Sequence, residues 1–404
     1  MTTDVSARPT PAQVDGSGHV LDLIRRGEAT TVSQMAQAIG VSRSTMMQRL
    51  TRLERVGLVR GEMHVVGARG RPAATYAFAP EAGTVLAAQV GMSGCRTLLT
   101  DLSGEVLDDR FVEIGATTGP EELLAALLGS FDDLLSQSPA DPSALVGLGI
   151  GMPSLLELRA SARAVGDREK WDLRRLQTAV EERYARPVFL DLDVNMLALA
   201  EHRMSWPHTE VLVCLKLGTA IDASLVIRGE PVRGAHGLAG ELGHVKVDGQ
   251  DEPCGCGSRG CLDAVASGAA LVRRLNAEGL EVERVTDVMR LADDGSPQAM
   301  QAVRDAGRHI GATLASVVNL LNPAAITAWG YLTESELLFA GIRESLYAGA
   351  LPASTRGLEL LPTSLGVLAG ARGAALRAID EILSPTNVDR SLVDGYWATS
   401  SADR

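Results

Sequence analysis

The chain has 404 residues, enough for two or three domains, and its 46% hydrophobic and 22% charged residues are the proportions of a soluble globular protein. The polar N-terminus lacks a signal-peptide core and no apolar run reaches membrane-spanning length, so we expect a cytoplasmic protein. The net charge of −12 argues against nucleic-acid binding by the chain as one body, but residues 1–80 contain ten arginines and six acidic residues, a net +4 that leaves −16 for the remainder.

The basic N-terminal part predicts a DNA-binding domain over residues 17–80, after a flexible arm over residues 1–16. Three helical patterns can be read, over residues 20–25, 32–39 and 43–56. The second pattern stops at Gly40, a residue that suits a helix C-terminus, and Ser42 is a suitable N-cap for the third. Two helices joined by a short turn predict a helix-turn-helix.

The third helix predicts the DNA-reading face. Met46, Leu50 and Leu53 follow helical spacing and should face the core. Any solvated helix has a polar face of this kind, so the face alone leaves a generic helical domain open. The outer residues that we expect to contact DNA are Arg43, Ser44, Thr45, Gln48, Arg49 and Arg52.

Residues 58–80 read as strand, turn and strand, which favours a winged helix-turn-helix over a generic helical domain. The turn contains two glycines and two arginines, Arg69 and Arg71. A narrow minor groove attracts arginine, so we expect these two side chains to contact DNA from the wing.

The body of the chain contains a repeated plan. Residues 85–107 form two apolar runs separated by a glycine-containing turn, and residues 211–232 repeat this pattern. The repeat predicts two lobes that face a cleft. A phosphate cradle needs glycine-rich turns, but the first turn contains Met92 and the second contains Asp222, so neither predicts a good nucleotide site.

His244, Cys254, Cys256 and Cys261 follow the spacing H-x9-C-x-C-x4-C, which predicts a metal site. Three thiolates and an imidazole are ligands that tetrahedral zinc prefers, and four protein ligands leave no open position for water. Free thiols in a glycine-rich loop are the alternative, while a redox pair would favour a C-x2-C spacing that is absent here. We therefore expect structural Zn²⁺ that orders the loop.

Polar groups near the cluster predict a site for hydroxyl groups. Glu241 and Asp263 lie on either side of the metal ligands, and Asp193 and Asn195 follow an apolar strand. Carboxylates and amides in such positions suit sugar hydroxyls. For Asp193, a role as helix N-cap is the alternative.

Residues 233–268 resemble the signature of the ROK family, named for repressors, open reading frames and kinases. Residues 147–154, 193–201 and 312–330 are similar to further motifs of that family, so the resemblance covers nearly the whole chain. It implies an α/β fold in which the winged helix-turn-helix precedes a two-lobed, actin-like body of the sugar kinase and ribonuclease H type. It also implies dimers or tetramers. Family members with an N-terminal winged helix are typically regulators of carbohydrate genes.

The resemblance implies an effector site at Asp193, Asn195, Glu241, His244, Asp263 and Ser154. Asp193 matches the catalytic base of the kinases, and His244 would serve both zinc and sugar. Asp263 stands where glutamate is usual, and Leu192 replaces an asparagine, which puts the usual sugar specificity in doubt.

The nucleotide motifs of the family are altered at 89–94, at 218–222 and at 329–331. We therefore expect no enzyme but a DNA-binding regulator, preferably a repressor, whose partners are operator DNA, a sugar or sugar phosphate, and further copies of itself. An ATP-dependent sugar kinase with an attached DNA-binding domain, and a regulator whose body docks a protein, remain alternatives. The expected body comprises one lobe from residues 84–205 plus 367–383, a second lobe from 206–366 with the zinc loop and the oligomer surface, and a tail over 384–404.

Overall fold

The computed structural model describes residues 16–63, 74–92, 94–153 and 172–397. Three helices come first: α1 (Ser17–Arg25), α2 (Val32–Ile39) and α3 (Arg43–Arg55). Thr31 and Gln34 form a capping box at the start of α2, and Gly40 ends that helix with φ 77°. Ser42 accepts a hydrogen bond from the Thr45 backbone N–H and begins α3. These caps confirm the predicted turn between the second and third helices.

A β-hairpin follows the three helices. Its strands, β1 (Val59–Met63) and β2 (Ala74–Phe78), pair antiparallel with Val59 opposite Phe78. The Tyr76 backbone N–H donates to the Thr30 carbonyl, which ties the hairpin to the helices. The tip of the predicted wing, with Arg69 and Arg71, lies outside the described residues.

The first lobe is built on a sheet with the strand order β5-β4-β3-β6-β7. Strand alternation separates its two faces, since Leu86 and Ala88 pack with Phe131, whereas Val85 and Ala87 pack on the opposite side. Its elements are β3 (Thr84–Val90), β4 (Cys95–Asp101), β5 (Val106–Val112), α4 (Pro120–Gln137), β6 (Leu145–Met152), α5 (Leu173–Tyr184), β7 (Val188–Leu192) and α6 (Asp193–Ser205).

The second lobe is built on a sheet with the strand order β10-β9-β8-β11-β12. Like the first sheet, it begins with an antiparallel hairpin whose first strand also pairs with a parallel strand, which confirms the predicted repeat. Its elements are β8 (Val211–Leu217), β9 (Ile221–Ile227), β10 (Glu230–Pro231), α7 (Leu262–Ala266), α8 (Gly268–Ala277), α9 (Val285–Asp293), α10 (Pro297–Leu321), β11 (Ala325–Trp329), α11 (Glu336–Gly349) and β12 (Glu359–Pro362).

The C-terminal part of the chain returns to the first lobe and the N-terminal helices. It forms α12 (Ala369–Ile382) and α13 (Pro385–Asp394). The expected tail over 384–404 is therefore wrong for residues 384–397, where Val388 and Trp397 are buried. Val388 and Leu392 lie four residues apart on one face of α13 and both pack into the core, a short amphipathic pattern that the polar composition concealed.

The N-terminal helices and the first lobe share one hydrophobic core. Val20, Leu21 and Ile24 of α1 belong to the same buried cluster as Leu383 and Val388. The N-terminal domain is therefore packed directly on the body. In the part of the chain that the structure describes, no helix has the length and hydropathy needed to cross a membrane.

Candidate functional site

The four predicted metal ligands come together in space. His244 ends a short 3₁₀ turn, Cys254 and Cys256 lie in the loop that follows, and Cys261 stands directly before α7. Their ligand atoms all lie within 4.8 Å of one another. The His244 Nδ1 to Cys254 Sγ distance is 3.6 Å, and the Cys256 Sγ to Cys261 Sγ distance is 3.8 Å. The cluster could hold a metal ion.

The surroundings of the cluster orient its ligands. Nε2 of His244 lies 3.6 Å from Oε2 of Glu241, so the opposite ring nitrogen faces the thiols. A carboxylate beside the outer nitrogen of a ligand histidine fixes the ring and makes it a better ligand. On the other side, Nζ of Lys246 lies 3.2 Å from the Cys261 sulfur and contributes positive charge next to a thiolate position.

Asp263 connects the metal loop to the second hairpin. Its Oδ1 accepts a hydrogen bond of 2.8 Å from the Ile221 backbone N–H at the start of β9. Burial raises the pKa of this carboxyl group, even though that hydrogen bond opposes the shift. One oxygen of Asp263 is therefore already used within the protein.

A buried charge triad lies where the first residue of α6 meets β8 and β9. Nζ of Lys216 donates to Oδ2 of Asp193, and Lys216 stands opposite Asp222 in the β8–β9 pairing. Asp193, Lys216 and Asp222 are all nine-tenths or more buried. The predicted alternative, that Asp193 caps its helix, is wrong, because Leu192 occupies the N-cap position and no side chain caps α6.

Asp193 and Lys216 each have a raised pKa. Burial and the nearby Asp222 carboxylate raise the pKa of Asp193 against the opposing effect of Lys216. Burial alone would lower the pKa of Lys216, but the carboxylates of Asp193 and Asp222 outweigh it and raise that pKa. Lys216 is therefore a charged ammonium group that donates to Oδ2 of Asp193.

Asn195 is the centre of a second network that joins the lobes. Its amide donates to Oδ1 of Asp191 at 2.8 Å, and its carbonyl oxygen accepts from the Ser224 hydroxyl at 2.7 Å. Arg233 donates two hydrogen bonds to Oδ2 of Asp191, at 2.6 and 2.9 Å. Asn195 is 2% exposed, so in this structure the protein satisfies it rather than leaving it open to a ligand.

Sequence reasoning missed Lys216, Asp191, Ser224 and Arg233. For Lys216 a signal was available, because it is the one charged residue in the apolar strand 211–217. For the others, only the fold brings the partners together. Of the predicted effector residues, Ser154 lies outside the described residues.

Two of the three altered nucleotide motifs, those at 89–94 and 329–331, are filled or closed by the protein. The Gln89 side chain lies so close to Gly370 that a Cβ there would overlap its amide. The Gly91 N–H donates to the Gly94 carbonyl at 2.8 Å, so the first turn uses this group internally. Nε1 of Trp329 donates to the Gly366 carbonyl at 3.2 Å.

On α3, Met46, Leu50 and Leu53 are fully buried, which confirms the predicted inner face. The expected DNA-contact residues Arg43, Ser44, Gln48 and Arg52 are exposed, and Thr45 is half-buried; Nη1 of Arg43 also donates to Ser33 of α2 at 3.0 Å.

Arg49 departs from the expected outward orientation. Its guanidinium group lies against Gly16, and both Nε and Nη1 are buried without a hydrogen-bond partner among the described residues. Position 49 lies three residues after Met46 and four before Leu53, at the edge of the buried stripe. An arginine at that edge can point either towards the solvent or towards the core.

Known proteins resemble the chain along most of its length. The model of the ROK family matches residues 85–381, and that of a helix-turn-helix domain matches residues 19–62. A xylose repressor of Caldicellulosiruptor bescii is 24% identical over 380 residues, covering 90% of this chain and 95% of the relative. A glucokinase of Halalkalibacterium halodurans is 27% identical over 302 residues, covering 70% and 91%. The crystal structure of a ROK family transcriptional regulator, a homolog of the Escherichia coli MLC protein, superposes with a TM-score of 0.75 at 25% identity and covers 95% of this chain and 100% of that one.

Proposed function

The chain belongs to the ROK family, and we propose that it is a DNA-binding repressor of carbohydrate uptake or metabolism genes that binds a sugar in its cleft. The observation that carries the proposal is the combination of a helix-turn-helix domain with a sugar-kinase-like body whose base carboxylate is bound to a lysine. The resemblance to a xylose repressor over nine-tenths of the chain supports the same function.

The state of Asp193 favours a sensor over a kinase. A general base must lie within reach of the hydroxyl group and accept its proton. Here the Asp193 side chain is buried and bound to the Lys216 ammonium group. Together with the filled and closed nucleotide motifs, this supports a body that does not catalyse phosphoryl transfer.

The charges around the cleft favour a neutral sugar over a sugar phosphate. Two cations among these groups, Lys216 and Arg233, are already bound to Asp193 and Asp191. A phosphate group would therefore meet mainly carboxylates, which repel it. A neutral sugar offers hydroxyl groups that such carboxylates accept. The acidic side chains concerned are those that are only partly buried, Asp191, Glu241 and Asp263.

The cluster of His244, Cys254, Cys256 and Cys261 fits structural zinc. In a tetrahedral zinc site two sulfurs lie roughly 3.8 Å apart, and a nitrogen and a sulfur roughly 3.6 Å. The corresponding distances in this protein are 3.8 and 3.6 Å. When bound, zinc would supply the cross-link that orders the loop, and the loop in turn holds Glu241 and Asp263 at the cleft.

The exposed face of α3 in the N-terminal domain supports the predicted DNA contacts. Arg43, Ser44, Gln48 and Arg52 share the exposed side of α3, which would enter the major groove, with Thr45 beside them. Arg69 and Arg71 of the predicted wing would contact the adjacent minor groove. A dimer or tetramer would place two such N-terminal domains on a palindromic operator.

Fluorescence anisotropy on the promoter DNA beside the protein's own gene tests the proposal at fixed salt concentration. We expect one neutral sugar among D-xylose, D-glucose and N-acetylglucosamine to weaken operator binding, and their phosphates to have no effect. Glu241→Ala should bind DNA but lose the sugar response, whereas the exposed Glu252→Ala should retain it.

Two outcomes would contradict the proposal. ATP-dependent phosphorylation of any of these sugars would show a kinase. DNA binding that no sugar changes would favour the alternative in which the body docks a protein.

A further inference from the structure

The C-terminal helix α13 holds the first turn of α1. The two carboxylate oxygens of Asp389 accept hydrogen bonds from the backbone N–H groups of Gly16 at 3.0 Å and Gly18 at 2.8 Å. Asp389 is 2% exposed, and Gly18 lies so close to the Pro385 backbone that a side chain would not fit. A buried carboxylate on the free N–H groups of a helix start is a strong, oriented contact.

The other end of α1 is held by α12. Asp380 of α12 lies 3.8 Å from the guanidinium group of Arg25, the last residue of α1. The same carboxylate accepts two hydrogen bonds from Arg203 of α6, at 2.7 and 2.9 Å. Thus α1 contacts the α12–α13 pair at both of its ends, through two carboxylates nine residues apart.

The helices that hold α1 also reach the cleft. Helix α6 begins at Asp193 and Asn195, which belong to the two buried polar networks, and ends next to Arg203. Gly373 of α12 lies against the Met196 backbone of α6 without room for a Cβ, so these two helices touch backbone to backbone. A shift of α6 at the cleft must therefore move α12 as well.

Contacts between α1 and α3, the expected DNA-recognition helix, form the last step. Helix α1 packs with α3 in one core, and the Arg49 guanidinium of α3 lies against Gly16, the residue whose N–H binds Asp389. The orientation of α1 therefore affects the orientation of α3.

We propose that Asp380 and Asp389 are positioning residues that transmit a change at the cleft, through α6 and α12, to α1 and the recognition helix. The inference rests on the proposed function, since it assigns the route by which a sugar changes DNA affinity. A ligand alters that affinity only through such a difference between two arrangements of the protein.

Hydrogen exchange of the full-length protein tests the contact itself. Asp389→Asn should speed exchange of the amides of residues 16–25 by about tenfold or more, because charged hydrogen bonds to two N–H groups are lost. Asp394→Asn, the same change at an exposed position of α13, should leave the exchange unchanged. Equal exchange in the wild type and in Asp389→Asn would overturn the proposal.

The transmission is tested with Asp380→Asn, whose half-exposed position makes it the safer variant for folding. The ratio of operator Kd with and without the sugar that shifts the wild type should fall towards one, while the calorimetric Kd for that sugar stays unchanged. A wild-type ratio in this variant would refute the transmission. If no sugar in the panel shifts the wild type, the proposed function fails, and the exchange experiment still decides whether Asp389 holds α1.

Discussion

Replacing Lys216 with methionine would test the buried triad, because the substitution keeps the length of the side chain and removes its charge. Lys216 is 9% exposed and bound to Asp193, with Asp222 opposite it on the neighbouring strand. The variant leaves two buried carboxylates without their cation. Removing one partner of a buried ion pair typically destabilises a protein by about 3–5 kcal/mol.

A matched surface variant sets the scale. Arg228 directly follows β9 and pairs with Glu210 at 3.1 Å, and the two side chains are 81% and 67% exposed. Arg228→Met also removes one paired positive charge, but exposed pairs contribute only about 0–1 kcal/mol. We therefore expect Lys216→Met to lower the free energy of unfolding by at least about 2 kcal/mol more than Arg228→Met does.

The loss of stability in Lys216→Met should grow as the pH rises. Burial and Asp222 already raise the pKa of Asp193 in the folded protein, and removal of Lys216 raises it further. A carboxyl group with a raised folded pKa contributes stability below its unfolded pKa of about 4, and this contribution is lost as pH rises through the folded pKa. Adding Asp193→Asn to Lys216→Met should restore part of the stability, because one of the two buried carboxylates becomes an uncharged amide.

Urea unfolding followed by tryptophan fluorescence at about pH 5 and pH 8 measures the free energy of unfolding. The proteins compared are the wild type, Lys216→Met, Arg228→Met and the double variant. Equal losses for Lys216→Met and Arg228→Met at the higher pH would refute the reasoning. So would a double variant as unstable as Lys216→Met.

Three further predictions follow from other parts of the structure. Cys256→Ser should bind less zinc per chain than a Cys214→Ser control, by atomic absorption, because Cys214 lies outside the cluster; equal metal content would contradict the ligand set. Burial raises the pKa of Glu201 to about 7, so this residue's contribution to stability is lost as pH rises towards and through that value. Glu201→Gln should therefore remove up to about 3 kcal/mol of the pH dependence of the free energy of unfolding, measured in urea. An unchanged pH dependence would contradict this assignment. Gly373→Ala should destabilise by more than about 3 kcal/mol, since its methyl group would overlap the α6 backbone, whereas Gly129→Ala on the open face of α4 should stabilise by about 0.5–1 kcal/mol; melting temperatures that shift alike would refute both.

Local chemistry made some parts of the molecule predictable from the sequence. Gly40 and Ser42 fix the end of α2 and the start of α3 through their own backbone conformation and side chain. The metal ligands fall within one loop, so the spacing of His244 and the three cysteines already restricts how far apart they can lie. The repeated hairpin was visible because two apolar runs separated by a short turn form a local pattern.

The parts that sequence reasoning missed depend on distant partners. Lys216 and Asp193 belong to different lobes, and no pattern along the chain shows that they meet. Asp389 pairs with backbone groups more than 370 residues away, so α13 looked like a polar tail. Arg49 sits on a helical edge, where neighbouring elements rather than periodicity decide the direction of the side chain.

The return of α13 to α1 makes the DNA-binding module discontinuous in sequence. Gly18 fits against the backbone of Pro385, and Asp389 fits the N–H groups at the start of α1, so each segment is shaped by the other. A chimaera that exchanged only residues 1–80 with another regulator would set a foreign first helix against this surface. Operator specificity should transfer between such proteins only when residues 384–397 travel with the N-terminal segment.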